Sequence, residues 1–155
     1  ALKALSRLEF DMAKERFKVM HRKYPEDSVI LLHYYHLEKL NPASSSYADV
    51  LVKVIEDCVR LSDYPKLMKI YREAEALSSE QSLLAEDVHT RVLYSCIREN
   101  EMKDAELVFS HLKRGENTDM IREACLLLID SFKRHQQAMK VNQYQAALKA
   151  MDSPS

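Results

Sequence analysis

VHTRVLYSCIRENEMKDAELVFSHLKRG, residues 88–115, is the stretch whose reading decides the fold. Val88, Val92 and Cys96 recur at helical spacing, the polar step Glu99–Asn100–Glu101 interrupts them, and Ala105, Phe109 and Leu112 then line one side of a second helix. Gly115 stands where a helix end commonly takes a left-handed residue, and is expected to close that helix. Two short helices joined by a turn cannot bury their apolar sides alone. The unit therefore implies neighbours of the same kind.

Working outward, the small-x3-large pattern of the second helix returns at Ala13, Phe17 and Met20 and again, with a larger first residue, at Leu67, Tyr71 and Ala74. A small residue one turn before a ring lets a neighbouring helix approach while the ring fills the gap beside it. Phe109→Ala and Phe17→Ala are accordingly expected to cost alike, about 3–5 kcal/mol each. The three patterns start 54 and 38 residues apart, where a strict array of helix pairs steps evenly, by about 34 in one common form. The wide first gap predicts a surplus helix or an enlarged unit, with Val29–Leu40 pairing with Ala48–Leu61 and the pairing parity shifting nearby.

Punctuation divides the chain into nine expected helices. The first, Ala1–Arg7, is read as a truncated helix. The second, about Asp11–Lys23, stops before Pro25, which disfavours helical geometry in Tyr24. Asp27 or Ser28 caps Val29–Leu40; Ser46 with Asp49 forms a capping box for Ala48–Leu61; Asp63 caps the next helix, with Pro65 in its first turn. The loops PASSS (42–46) and SSEQS (78–82) separate helices. The rest are expected at about Leu84–Arg98, Met102–Lys113, Thr118 or Asp119 to Arg134, and Ala138–Met151.

Composition points the same way. One glycine, four prolines, 30% charged residues and no tryptophan leave little material for hairpins or phosphate loops and much for amphipathic helices. The fold class is all-α, as one helical-repeat domain over residues 1–151 with a disordered tail at 152–155. ALKALSRL, at Ala1–Leu8, lacks an initiating Met and reads as the middle of a helix, so the chain is expected to be a piece of a longer protein. On that reading Leu2 and Leu5 form an adhesive edge that further repeats or a second copy would cover.

A net charge of −1 argues against general polyanion binding, which needs a basic surplus on one face. Charge is unevenly spread: seven Lys/Arg against three acids over Ala1–Lys23, five against nine over Asn41–Thr90, and seven against four over His111–Lys149. Cys58, Cys96 and Cys125 each fall in an apolar helical stripe, as small core residues of a reducing intracellular compartment, whether cytoplasm, nucleus or mitochondrion. No run of 18 apolar residues is present, so no membrane partner is expected.

Enzyme chemistry finds no support. G-x-S-x-G, H-E-x-x-H and phosphate-loop motifs are absent, and adjacent carboxylates such as Glu56-Asp57 and Glu86-Asp87 point apart on a helix. His33 and His36, at i, i+3, can supply two metal ligands but have no third nearby; they are expected as partly buried, hydrogen-bonded histidines. No catalytic residue, metal or cofactor is assigned.

With those residues in view, the chain resembles the superfamily of tetratricopeptide, pentatricopeptide and half-a-tetratricopeptide repeats. Ala13-x3-Phe17 with Pro25 is similar to the closing half of a tetratricopeptide unit. Leu31–Glu38 and Lys69–Leu77 resemble the two helices of a half-a-tetratricopeptide unit, and Val88–Gly115 resembles a pentatricopeptide unit. The signature glycine and tryptophan of the tetratricopeptide first helix are missing. The resemblance implies a right-handed α-solenoid of about four stacked antiparallel helix pairs.

It also implies a function: a protein-interaction scaffold whose first helices line a concave groove for a partner peptide or helix. The positions so aimed are Asp87, Thr90, Tyr94 and Arg98, with Asp49, Glu56 and Arg60 on the earlier helix. They do not reproduce the Lys/Asn clamp of chaperone-binding members. The alternative is RNA binding, with Thr90 and Asn117 or Asp119 as base readers; neighbouring stretches place Val52 or Leu32 at the first reader position. A third reading is a homo-oligomerisation segment of a larger complex.

Overall fold

Between Arg7 and Asp11 the chain has neither glycine nor proline, and the helix expected to stop at Arg7 runs straight on, so that α1 spans Leu2–Lys23. The computed structural model describes the backbone of residues 2–41, 45–77 and 84–152, with the side chains of all these except 2–6 and 45. The loops expected at 42–46 and 78–82 and the tail after Asp152 fall wholly or largely outside the described residues. Among the described residues the chain is all-α. Its eight helices are α1, α2 (Ser28–Lys39), α3 (Ser45–Arg60), α4 (Tyr64–Leu77), α5 (Glu86–Arg98), α6 (Met102–Leu112), α7 (Thr118–Arg134) and α8 (Ala138–Asp152).

Capping follows the local chemistry. Asp27 caps α2, its carboxylate accepting from the N–H groups of Val29 at 3.0 Å and Ile30 at 3.1 Å. Asn117, rather than Thr118 or Asp119, caps α7 by accepting from the Met120 N–H at 3.2 Å. The capping box expected at Ser46 and Asp49 lies inside α3, which is already helical at Ser45.

Three turns share one design. After α3, Ser62 adopts φ 56°, its N–H donates to the Val59 carbonyl at 3.2 Å, and the Asp63 N–H reaches back to Cys58 at 2.9 Å. After α5, Asn100 adopts φ 59° with the matching bonds to Ile97 at 3.1 Å and from Glu101 to Cys96 at 2.9 Å. After α7, Gln136 adopts φ 57°, bonding to Lys133 at 3.1 Å, and Gln137 bonds to Phe132 at 3.0 Å. Each is a Schellman-type stop that satisfies the last carbonyls of the helix. The left-handed residues stand 38 and 36 residues apart.

Gly115 plays a different part from the one expected. It has no left-handed φ, and α6 ends at Leu112 with Lys113 as its C-cap. What calls for glycine is close approach: a Cβ there would lie 2.5 Å from Glu86 Oε1. That oxygen accepts from the N–H groups of Glu116 at 3.1 Å and Asn117 at 3.4 Å, tying the α6–α7 loop to the start of α5.

Two compact units, Ala1–Leu77 and Ser78–Ser155, divide the chain. In the first, α1 packs on α2, α2 on α3 and α3 on α4. Tyr35, Tyr47, Leu51, Ile55, Leu67 and Tyr71 are fully buried there, each such apolar side chain contributing about 1.5–3 kcal/mol. Lys39 of α2 pairs with Glu73 of α4 at 2.9 Å, and the Tyr35 hydroxyl donates to the same carboxylate at 3.4 Å. α1 contributes less than its spacing promised. Ala13 and Phe17 are half-buried and Met20 is 40% exposed, although the Phe17 ring stacks on His33 at 5.4 Å.

The reason is the motif's place at the edge of its unit. It lies on α1, which among the described residues packs on α2 alone. Two helices, α2 and α3, stand between α1 and α4 in the chain, against one, α5, between α4 and α6, so the 54-residue gap holds the surplus helix expected, and α2 (Ser28–Lys39) packs on α3 (Ser45–Arg60) as well as on α1.

In the second unit, α5 packs on α6 and on α7, α6 on α7, and α7 on α8. The first helices of successive hairpins, α5 and α7, therefore touch. Phe109 of α6 meets the edge of Tyr144 of α8 at 5.5 Å, and Phe132 of α7 stacks on the same ring at 5.7 Å. The Tyr144 hydroxyl donates to Glu106 at 2.8 Å and Lys140 joins it at 2.9 Å. Cys58, Cys96 and Cys125 are free thiols in the cores; burial pushes Cys58 up to about 11, and Cys125 donates to the Tyr144 carbonyl at 3.2 Å.

Candidate interaction surfaces

α3 buries Val50, Leu51, Val54, Ile55 and Cys58 and leaves one outward stripe of Asp49, Lys53, Glu56 and Arg60. α5 does the same. Val88, His89, Val92, Leu93 and Cys96 point inward, and Asp87, Arg91, Tyr94 and Arg98 face out. Both stripes run i, i+4, i+7, i+11, one helical face, each opening on an acid, Asp49 or Asp87, and ending on an arginine in the last turn. Asp49, Glu56, Arg60, Asp87, Tyr94 and Arg98 are thus exposed as surface residues. Lys53 and Arg91 were missed, although their place between the other stripe positions is readable from the spacing.

Within these stripes the side chains differ in what occupies them. The Thr90 hydroxyl, half-buried, donates to the Glu86 carbonyl of its own helix at 3.1 Å. Arg60 is ion-paired with Asp57, which is 9% exposed. The Tyr94 ring is 52% exposed, a large aromatic surface in water. The two stripes belong to different units, α3 to the first and α5 to the second. Of the RNA-reader positions, Asn117 spends its side-chain oxygen on the α7 cap and Asp119 is exposed. The side chains of Leu2 and Leu5 lie outside the described residues; farther along α1, Leu8, Met12 and Val19 are exposed on one face.

His33 and His36 are both exposed rather than partly buried, and desolvation followed by the charge of Lys39 lowers the pKa of His36. Among the described residues no three His, Cys, Asp or Glu side chains converge as a metal site would need.

Beside the α3 stripe the first unit has an open pocket of about 330 Å³, between the end of α1, the turn that follows it and α3. Its wall includes His21, Glu26, Lys53, Glu56, Asp57 and Arg60. His21 is 7% exposed and its Nδ1 has no hydrogen-bond partner; burial, then the charge of Lys53, lowers its pKa. Sequence reading missed this residue, because a histidine in the last turn of a helix looks like an ordinary dipole partner. Glu38, fully buried on α2, lies 3.4 Å from Lys14 without hydrogen-bond geometry, and burial together with its charge raises the Tyr34 phenol.

No helix among the described residues is long and apolar enough to cross a membrane. No protein-family model, curated protein or solved structure matches this chain.

Proposed function

We propose that the chain is a protein-interaction scaffold built from stacked helical hairpins, a right-handed α-solenoid of tetratricopeptide-like character that binds a partner peptide or helix and carries out no chemistry of its own. The observation that carries this reading is the recurrence of one hairpin: the same Schellman stop at Ser62, Asn100 and Gln136, spaced 38 and 36 residues apart. A repeated unit that presents a similar outward stripe each time is how solenoids generate extended binding faces. Contact between α5 and α7 supports it further, since first helices line the binding face of such stacks.

RNA binding has weaker support. Thr90 and Asn117 are engaged with their own backbone, and the charge of −1 leaves little for phosphate neutralisation. Affinity for single-stranded RNA is expected in the non-specific range of about 10⁻⁴–10⁻⁶ M at physiological salt.

The test is capture of partners on the full chain, with and without nuclease, followed by identification of what is retained. A protein retained after nuclease treatment and lost with the Tyr94→Ala/Arg98→Ala variant, whose circular dichroism is unchanged, supports the proposal. Loss of every partner on nuclease treatment overturns it in favour of RNA.

A further inference from the structure

α1 is apolar on two faces. Phe10, Ala13 and Phe17 are half-buried, and the Phe17 ring stacks on His33 of α2. Leu8, Met12 and Val19 make a second stripe and are 56%, 50% and 56% exposed. A helix that is apolar on more than one side belongs between neighbours, and among the described residues α1 packs on α2 alone.

The second stripe follows a heptad. Leu8, Met12, Glu15, Val19 and Arg22 recur at alternating steps of four and three, the seam positions of a helix that pairs with another helix. Asp11 and Lys18 flank the seam on one side, and Glu9, Arg16 and Lys23 flank it on the other. Among the described residues Glu9, Asp11 and Arg16 are exposed and have no ion-pair partner, while Lys18 stands 4.0 Å from Glu15 of its own helix.

Charge decides what can lie on this seam. If a second α1 ran parallel, Glu15 would meet Glu15, Arg22 would meet Arg22, and Lys18 would face Lys23 across the rim; only Asp11 with Arg16 would attract. Turned antiparallel about a two-fold axis between Ala13 and Lys14, the same helix sets Leu8 against Val19 and Met12 against the stem of Glu15. The rims then match as well, Asp11 meeting Lys18 on one side and Glu9 meeting Arg16 on the other. Every one of these contacts occurs twice, because a two-fold interface is self-complementary.

We propose that α1 docks antiparallel on α1 of a second copy of this chain, with Leu8, Met12 and Val19 at the centre and the Asp11–Lys18 and Glu9–Arg16 pairs at the rim. These residues are distinct from the α3 and α5 stripes, so the dimer goes beyond the scaffold reading and neither depends on the other.

Sedimentation equilibrium on the full chain tests it, with circular dichroism to confirm that each variant is folded. The wild-type chain is expected to dimerise reversibly with rising concentration. Val19→Glu is expected to weaken the dimer about tenfold or more, since it sets a carboxylate against Leu8 at both ends of the interface. Lys18→Glu and Asp11→Lys are each expected to weaken it about fivefold, by turning two rim attractions into repulsions. Mixing these two variants is expected to restore association as a heterodimer, because opposite charges then face each other across both copies of that rim. Should either variant be unfolded, Arg16→Glu and Glu9→Lys repeat the exchange on the other rim.

A wild-type chain that stays monomeric up to about 1 mM overturns the proposal. So do dimers indifferent to Val19→Glu, which form through another face, and variants that fail to rescue each other on mixing. Stronger association of Lys18→Glu also overturns it, because that change relieves the Lys18–Lys23 repulsion of a parallel pair.

Discussion

Phe109 and Phe17 show how the same spacing can carry different weight. Phe109 is 5% exposed against Tyr144, whereas Phe17 is half-buried on an outer helix. Phe109→Ala is expected to cost about 3–5 kcal/mol and Phe17→Ala clearly less, both read from denaturant midpoints. Equal losses would contradict the burial difference. Gly115 is specific in another way. Gly115→Ala pushes the Glu86 carboxylate off the loop N–H groups and is expected to cost about 1 kcal/mol, the worth of an ordinary hydrogen bond.

Cys58 gives a pH signature. Its thiol is pushed up from 9.0 to about 11 by burial, so above pH 9 the unfolded chain releases a proton that the folded chain retains. Stability from this group is complete below pH 9 and falls as pH rises toward 11. Cys58→Ala should flatten that decline, in denaturant titrations at pH 8 and pH 10. An unchanged slope would mean that the thiol is not held back by the core.

At the scale of elements, the apolar period was legible and the stops were only partly so. Proline and Asp27 marked the end of α1 and the start of α2 because each imposes a backbone constraint or a cap visible in the residue type. The left-handed stops at Ser62, Asn100 and Gln136 carry no glycine, and their regularity emerges only from the backbone. The false break at Arg7 came from expecting a short opening helix where nothing in the residues ends one. Since each of these positions has a side chain in a region glycine occupies freely, Ser62→Gly and Gln136→Gly are expected to be neutral to stabilising, by up to about 1 kcal/mol in thermal or urea unfolding. A loss of stability would place another constraint on these turns.

The stripes were legible for the same reason as the cores: one period fixes both faces of a helix. Asp49, Glu56 and Arg60 and the α5 set followed from it, and Lys53 and Arg91 fill the same faces. The burial of His21 was hidden because a histidine in the last turn of a helix looks like an ordinary dipole partner, and only packing shows it covered.

At the scale of the whole molecule, the all-helical architecture was contained in the composition, and the surplus helix before α4 in the 54-residue gap between motifs. The motif on α1 looks, in sequence, like the one on α6, and only packing shows that Phe17 is half-buried where Phe109 is covered. On the proposed reading, a repeated hairpin presents the α5 face to a partner. The most direct measurement is the dissociation constant of the captured partner for the wild-type chain and for Tyr94→Ala/Arg98→Ala. An exposed aromatic with an arginine one turn away has the chemistry of a binding hot spot, so the account predicts a loss of about thirtyfold or more with the melting temperature unchanged. Equal affinity of the two chains would contradict it.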